Sequence, residues 1–251
     1  MATDTMATDL KGKVALVTGA GSGLGEATAR ALGAAGCSVA CVDINREAAE
    51  RVTQELLAQD VASLTLRCDA SDAADIFDAV EMVAERFGRL DLLVNCAAVD
   101  FTYPVEELSV ERWDLEIGVN LRGPFLFAKA AWPIMRERGG GHIFNIASTA
   151  ATRAWPNASA YHASKWGLLG LSRALGAEGR ACGIRVTTVL PGGMRTHFFD
   201  RFADQGIPMP DDDKLQDPAT VASAIVFAAQ LPPESALQEL IITPTHEPSW
   251  P

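Results

Sequence analysis

The sequence lacks the features on which membrane-spanning and nucleic-acid-binding proteins depend. It contains no run of about 18 apolar residues, the length that a membrane-spanning helix requires. Its formal net charge is −11, whereas nucleic-acid binding draws most of its affinity from Lys and Arg side chains that neutralise phosphates. We therefore expect a small-molecule protein whose partners include neither a membrane nor a nucleic acid.

Cysteine and histidine patterns typical of metal sites or disulfides are missing as well. The five cysteines are scattered, and no two of them are separated by the two residues of a zinc or redox motif. The four histidines are equally dispersed, so the sequence predicts no metal site. Together with a polar, acidic N-terminus unlike a secretory leader, these features predict reduced cysteines and a cytoplasmic location.

Short runs rich in Val, Ile and Leu alternate with amphipathic segments from Lys13 onward. This alternation is typical of a parallel β-sheet covered by helices, and the continuous apolar strands indicate burial on both faces. Strands are predicted at Val14–Thr18, Ser38–Val42, Leu64–Arg67, Asp91–Asn95, His142–Ile146, Arg185–Leu190 and Glu239–Thr243, and helices at 24–35, 46–58, 72–87, 110–137, 159–180 and 218–230.

The pattern predicts one α/β domain over residues 11–251, with a doubly wound, seven-stranded parallel sheet and helices on both faces. Residues 1–10, which contain the duplication MATDTMATD, are expected to be disordered. Residues 192–218 mix aromatic residues with turn formers, which predicts a loop with a short helix. Long loops at the carboxyl ends of parallel strands commonly bind substrates.

A glycine-rich turn, TGAGSGLG at residues 18–25, links the first strand to the first helix. Such a turn lets the backbone approach a pyrophosphate, whose charge is held by amides and by the positive end of the helix. Asp43, at the end of the second strand, is placed to accept hydrogen bonds from the adenosine ribose hydroxyls. Because position 22 is Ser and Arg46 is the only nearby cation, the sequence favours NAD over NADP.

A second group of residues is suited to proton transfer. Ser148 follows the fifth strand, and Tyr161 and Lys165 lie four residues apart, on one face of a predicted helix. A phenol is a poor base at neutral pH, but a nearby ammonium favours its anion, and a Ser hydroxyl can hold the reacting oxygen.

Together with the glycine-rich turn, these residues make the chain resemble the short-chain dehydrogenases/reductases of about 250 residues. The resemblance covers nearly all of residues 10–243. It implies a Rossmann-type fold, hydride transfer between NAD and a secondary alcohol or ketone, and a homo-oligomer, either a dimer or a tetramer. The elements that carry it occur in the family's order: TGAGSGLG, Asp43, Asp69, NCAA at Asn95, Asn120, Ser148, the Tyr161 and Lys165 pair, and PGGMRT at Pro191.

The resemblance also implies individual roles. Tyr161 would be the general acid or base, and Ser148 would orient the substrate oxygen. Lys165 would hydrogen-bond the nicotinamide ribose and lower the pKa of Tyr161, and Asn120 would hold a water molecule in a proton relay. The implied cofactor contacts are Gly19, Ser22, Gly23, Leu24, Gly25, Asp43, Asp69, Ala70, Asn95, Tyr161, Lys165, Pro191, Gly192, Met194 and Thr196.

Several of these residues have plainer interpretations. Asp69 or, as a better candidate, Ser71 could cap the helix predicted at residue 72, and Thr196 could cap a short helix. The two asparagines could be ordinary turn or helix-bonding residues. The sequence also departs from the family pattern, with Ala98 in place of a glycine and with the tail ITPTHEPSWP, in which Trp250 is a hypothetical contact to a neighbouring subunit.

Aromatic residues in the segments 99–103, 149–155 and 197–202 predict an apolar or ring-shaped substrate. Arg153 and Arg195 offer an alternative, an anionic substrate. Two other functions compete with an NAD-dependent alcohol dehydrogenase, namely an NADPH-dependent ketoreductase of the 3-oxoacyl type and a non-catalytic dinucleotide-sensing protein. The aromatic residues concerned are Phe101, Tyr103, Trp155, Phe198 and Phe199.

Overall fold

Seven parallel strands form one sheet in a computed structural model that describes residues 8–200, 202 and 207–247. The strand order is β3-β2-β1-β4-β5-β6-β7, so the order reverses between β1 and β4. A reversal of this kind opens a crevice at the carboxyl ends of the strands. The strands are β1 (Val14–Thr18), β2 (Ser38–Asp43), β3 (Ser63–Arg67), β4 (Leu92–Asn95), β5 (Gly141–Ile146), β6 (Ile184–Pro191) and β7 (Glu239–Ile242).

Helices cover both faces of the sheet. The apolar residues of each central strand alternate between two core clusters, so that Val17 packs with one layer of helices and Leu16 with the other. One layer contains α1, α2 and α7, and the other contains α3, α5 and α6. The helices are α1 (Gly23–Ala34), α2 (Arg46–Leu57), α3 (Ala73–Phe87), α4 (Val110–Ile117), α5 (Gly123–Glu137), α6 (Ser159–Gly179) and α7 (Pro218–Ala229).

The doubly wound sheet predicted from the sequence is confirmed, with the strand and helix limits displaced by one residue at most in nearly every element. Side-chain caps fix several helix starts. Asn45 accepts from the Ala48 amide at α2, and Ser109 accepts from the Arg112 amide at α4. A glycine fixes the C-terminal end of α3. Gly88 adopts a left-handed conformation with a φ of 71°, which ends the helix.

The segment predicted as one helix over 110–137 has these limits, but it is not a single α-helix. Residues Gly118–Arg122 form a π-helical turn between α4 and α5. The helical path continues through this turn, and the apolar pattern shifts by the one residue that a π turn adds. Turns of this type are frequent at functional sites, and Asn120 lies within this one.

The prediction of disorder over residues 1–10 is wrong for residues 8–10. Leu10 is buried in the core beside Cys37, and the Thr8 amide donates to the Gln230 carbonyl at 2.8 Å. Residues 1–7 and Trp250 lie outside the described residues. The predicted loop at 192–218 contains two short 3₁₀ turns, His197–Phe199 and Asp212–Lys214, in its described part.

Candidate active site

A continuous cleft of about 920 Å³ runs along the carboxyl ends of the strands. Asp43 lines one end of it, the glycine-rich turn lines the middle, and Tyr161 lines the other end. The volume is in the range of small-molecule sites. Every residue implied as a cofactor contact lines this cleft except Asn95.

The glycines of the turn lie in close contacts or in a backbone conformation that disfavours a side chain. A Cβ on Gly25 would overlap the carbonyl oxygen of Gly19, and Gly23 has a φ of 54°. Ser22, which precedes α1, makes no side-chain cap hydrogen bond. The first amides of α1 are therefore not occupied by a cap at this end, and they line the cleft where a pyrophosphate would bind.

Asp43 binds the turn from the neighbouring strand. Its Oδ2 accepts from the Gly21 amide at 2.9 Å, and its Oδ1 accepts from the Asn45 amide at 2.9 Å. A Cβ on Gly21 would come within 3.0 Å of this carboxylate. The residues of the cleft therefore fit a dinucleotide, with a negative charge held at the place where the sequence predicts the adenosine ribose.

The segment after β3 forms the next part of the wall. Asp69 accepts from the amide and the hydroxyl of Ser71 through one oxygen, and it does not cap α3. The prediction that Ser71 is the better cap is also wrong, because Asp72 caps the helix by accepting from the Asp75 amide. The Asp69 side chain instead orders the bend that presents Asp69 and Ala70 to the cleft.

Tyr161 and Lys165 lie together on the first turns of α6. The Lys165 side chain is 2% exposed, and its Nζ donates to the Ile146 carbonyl at 2.9 Å. This nitrogen is 5.5 Å from the centre of the Tyr161 ring. Burial lowers the pKa of Lys165 to about 8. The arrangement keeps a titratable amine next to a phenol at the edge of the cleft.

Ser148 lies two residues after the end of β5. Its Oγ accepts from the Ala150 amide at 3.1 Å, and the residue lines the cleft with Tyr161. His162 fixes the segment that follows. Its Nε2 accepts from the Trp155 amide at 3.1 Å, so Nδ1 carries the proton and donates to the Ala150 carbonyl at 2.9 Å. The sequence did not suggest this role for His162.

Asn120 and Asn95 are both buried behind the wall of the cleft and do not line it. The Asn120 amide forms two hydrogen bonds with the backbone of Val99, at 2.9 and 2.7 Å, and donates to Ser164 Oγ at 3.2 Å. Asn95 donates to Asn145, which donates in turn to a serine on α6. These amides connect β4, the π turn and α6 behind the reacting groups.

The substrate end of the cleft is lined by only some of the predicted aromatic residues. Trp155, Phe198 and Phe199 line it. Phe101 and Tyr103 do not, because both rings lie beside Arg112, whose guanidinium is 4.4 Å from the centre of the Tyr103 ring. Arg195 is also engaged elsewhere, since it donates to the Leu215 carbonyl at 2.6 Å.

Three contacts that shape the cleft were missed by the sequence analysis. Thr18 Oγ1 accepts from the amides of Cys96 and Ala97, which joins the ends of β1 and β4. Arg51 donates to the Gly21 carbonyl at 2.9 Å and so fixes the outer side of the turn. Glu247, from the tail, lines the substrate end and forms an ion pair with Arg153. No short-range pattern signals any of these contacts, because the partners are distant in sequence.

Thr196 has a capping contact as well as a place in the cleft. Its hydroxyl accepts from the Phe198 amide at 3.3 Å.

In the part of the chain that is described, no group of three or more His, Cys, Asp or Glu side chains is arranged to hold a metal ion. Among the described helices, none combines the length and apolar character needed to cross a membrane.

Comparison with known proteins gives consistent results. The family model of the short chain dehydrogenases matches residues 13–206. The chain is 42% identical to D-threitol dehydrogenase of Mycolicibacterium smegmatis, over 88% of this chain and 86% of the relative. It is 36% identical to cyclohexanol dehydrogenase of an Acinetobacter species, over 88% of this chain and 89% of the relative.

A solved structure is similar over almost the whole chain. It is an alcohol dehydrogenase from Thermococcus sibiricus complexed with 5-hydroxy-NADP, with a TM-score of 0.86, 29% identity, and coverage of 95% of this chain and 99% of that one. The match of the family model, the similarity to full-length relatives and the cleft geometry agree. The chain belongs to the short-chain dehydrogenase/reductase family of oxidoreductases, which use a nicotinamide dinucleotide.

Proposed function

We propose that the protein is an NAD-dependent dehydrogenase that interconverts a secondary alcohol and its ketone, with Tyr161 as the general acid or base. One observation supports this most directly. Ser148, Tyr161 and Lys165 line the same cleft as Asp43 and the glycine-rich turn. This shared lining supports a site in which proton transfer and dinucleotide binding are combined.

In the proposed reaction, the nicotinamide supplies the group that accepts or returns the hydride. The Ser148 hydroxyl orients the oxygen of the substrate, and Tyr161 takes the proton from that oxygen during oxidation or returns it during reduction. The Lys165 ammonium favours the phenolate form of Tyr161 by proximity of charge. Asn120, held by Val99 and Ser164, is proposed to position a relay water behind this pair.

The proposed preference for NAD depends on Asp43. Its carboxylate faces the position expected for a 2′-phosphate, which would be repelled by like charge. Ile44 and Asn45 supply no compensating cation, Arg46 is exposed, and the Arg51 guanidinium is engaged by Glu26 and the Gly21 carbonyl. A second candidate, an NADPH-dependent ketoreductase, is favoured by the similar structure complexed with 5-hydroxy-NADP.

The substrate is proposed to be an uncharged alcohol. One relative is named for threitol, an open-chain polyol, and another for cyclohexanol. Trp155, Phe198 and Phe199 offer apolar surface to the carbon skeleton of such a substrate.

The test of this function is steady-state kinetics on a panel of secondary alcohols with NAD and NADP in parallel. The wild type should show the higher kcat/KM with NAD. Tyr161→Phe should retain NADH binding and lose turnover by about 10²-fold to 10⁴-fold, the range of general acid or base catalysis. Phe is the chosen substitution because it removes only the hydroxyl and keeps the ring that packs against Phe198. Turnover that survives in Tyr161→Phe would contradict the role of Tyr161, and a preference for NADP would favour the second candidate.

We also propose that the protein forms a homo-oligomer. Large apolar side chains are exposed on three helices, with Trp113 on α4, Phe125 on α5 and Trp166 on α6. Exposed side chains of this kind often mark protein contacts. Multi-angle light scattering should give a multiple of the 26.7 kDa chain mass, and the mass of one chain would contradict the proposal.

A further inference from the structure

The tail after β7 returns to the site and places a carboxylate in the cleft. A turn in which the Glu247 amide donates to the Pro244 carbonyl at 3.1 Å brings Glu247 over the segment after β6. There its Oε2 accepts from the Gly193 amide at 3.2 Å. A Cβ on Gly192 would overlap this carboxylate, so the glycine permits the approach. The Glu247 side chain is only 8% exposed.

The other oxygen of Glu247 pairs with Arg153. The guanidinium donates to Oε1 of Glu247, and it is also 3.4 Å from Thr149 Oγ1. Arg153 belongs to the segment that follows Ser148, and His162, the neighbour of Tyr161, fixes the backbone on both sides of it. The ion pair therefore joins the tail to the segment beside the reacting groups.

Both members of the pair line the cleft at its substrate end, next to the aromatic side chains. The carboxylate offers hydrogen-bond acceptors and the guanidinium offers donors, a combination that suits a hydroxyl, which both donates and accepts. The carboxylate also neutralises Arg153, so an anionic substrate would meet no net positive charge there and would approach Glu247 with like charge.

We propose that the Arg153–Glu247 pair determines substrate specificity by binding a second hydroxyl of an uncharged polyhydroxy alcohol and by excluding carboxylates. The inference rests on the proposed function, since it concerns the substrate of the same site. It assigns to the tail a role that the sequence left open, and it disfavours the anionic substrate that Arg153 alone suggested.

The test uses three secondary alcohols of four carbons, which share the reacting group. 2-Butanol has no second polar group, 2,3-butanediol has a second hydroxyl, and 3-hydroxybutyrate has a carboxylate. The wild type should have the highest kcat/KM for the diol, by about 10-fold to 100-fold over 2-butanol, the range for hydrogen bonds to charged groups. Preference for 3-hydroxybutyrate over the diol in the wild type would overturn the proposal without any variant.

Glu247→Gln should reduce the diol preference about 10-fold, and it should increase turnover of 3-hydroxybutyrate because the charge of Arg153 is released. Misfolding cannot produce this gain. The double variant Arg153→Gln/Glu247→Gln should lose this gain in 3-hydroxybutyrate turnover, because it no longer carries the Arg153 charge. Glu234→Gln, which removes an exposed carboxylate, is the matched control and should leave the ranking unchanged.

The outcomes separate the two proposals. If Glu247→Gln ranks the three substrates as the wild type does, specificity does not depend on the pair, while the dehydrogenase function stands. If the wild type oxidises no alcohol in the wider panel with either dinucleotide, the proposed function itself fails and this inference fails with it. Melting temperatures of all variants verify that the compared proteins are folded.

Discussion

Lys165 combines two properties that oppose each other. Its amine is buried beside Tyr161, where a positive charge favours the phenolate, yet burial disfavours that charge and lowers the pKa of Lys165 to about 8. One carbonyl, that of Ile146, accepts a hydrogen bond from the amine. The position is therefore suited to chemistry at the expense of stability.

This cost should be visible as a pH dependence of unfolding. Below pH 8 the amine is charged in both states, and its burial opposes folding. Between pH 8 and the ordinary pKa of 10.5 the folded protein releases the proton while the unfolded chain retains it, so stability rises with pH. We expect Lys165→Met to be more stable than the wild type at pH 7, with the difference shrinking by about 3 kcal/mol by pH 10.5.

Urea denaturation of the two proteins at several pH values measures that difference. The comparison cancels the buried cysteines that lie away from Lys165, namely Cys37, Cys41 and Cys68. Cys96 and Tyr161 interact with Lys165, so both proteins carry Cys96→Ala and Tyr161→Phe in this experiment. A difference in unfolding free energy that does not change with pH would show that Lys165 is not perturbed by burial.

At the residue scale, the sequence predicted most of the side chains that line the cleft but not the long-range contacts that hold them. Tyr161, Lys165 and Ser148 line the cleft together, as the motif predicts. Phe101 and Tyr103 were misplaced because the position of Arg112, which attracts both rings, is set by α4. Glu247 was missed because its partner is 94 residues away and nothing local identifies the pair.

At the scale of elements, the contact between β1 and α1 depends on the absence of side chains. Gly25→Ala would force the first turn of α1 away from the Gly19 carbonyl. We expect a loss of at least about 2 kcal/mol of unfolding free energy, as for other backbone clashes, together with weaker NADH binding.

Gly176→Ala is the matched control. It lies on the side of α6 that faces β6, and a Cβ there would meet only the Val186 side chain, at 3.7 Å, an ordinary van der Waals distance. Because Gly is a poor helix former, this variant should gain about 0.5 to 1 kcal/mol. Thermal unfolding and NADH fluorescence titration test both variants. Equal effects of the two substitutions would show that the close contact at Gly25 is unimportant.

The elements themselves were largely predictable, because buried strands and amphipathic helices have distinct periods. The region 110–137 shows where that logic fails. A π turn shifts the apolar pattern by only one residue, a change too small to separate from the ordinary irregularity of a helical pattern. Gly118 and Gly123 at its edges are the visible marks of the change. The prediction of the α3 cap failed for a different reason. Ser71 and Asp72 are both good capping residues, and the bend at Asp69 decides between them.

At the scale of the molecule, the cleft spans the carboxyl ends of strands from both halves of the sheet, so a dinucleotide that binds there should stabilise the whole fold. NADH at 100 times its Kd should add about 2.7 kcal/mol and raise the melting temperature by roughly 5–10 °C for a chain of this size. NADPH at the same concentration should give a smaller shift because of the Asp43 charge.

Differential scanning fluorimetry of the wild type and of Asp43→Asn tests this expectation. The variant removes the charge and one of the two acceptors that hold the loop. Both melting-temperature shifts should therefore fall, and the gap between the shifts with NADH and NADPH should narrow. Asp78→Asn, on an exposed part of α3, removes the same charge elsewhere and should behave as the wild type. An NADPH shift as large as that of NADH in the wild type would argue against the preference for NAD.

The two backbone hydrogen bonds of Asp43 also bear on any redesign of the cofactor choice. The same carboxylate that would reject a 2′-phosphate holds the amides of Gly21 and Asn45. Substituting a neutral or basic residue would change selectivity and, at the same time, loosen the loop that binds the pyrophosphate. An enzyme re-engineered for NADPH would therefore need a second change that re-anchors this loop, and the contact from Arg51 to the Gly21 carbonyl shows where such an anchor can be attached.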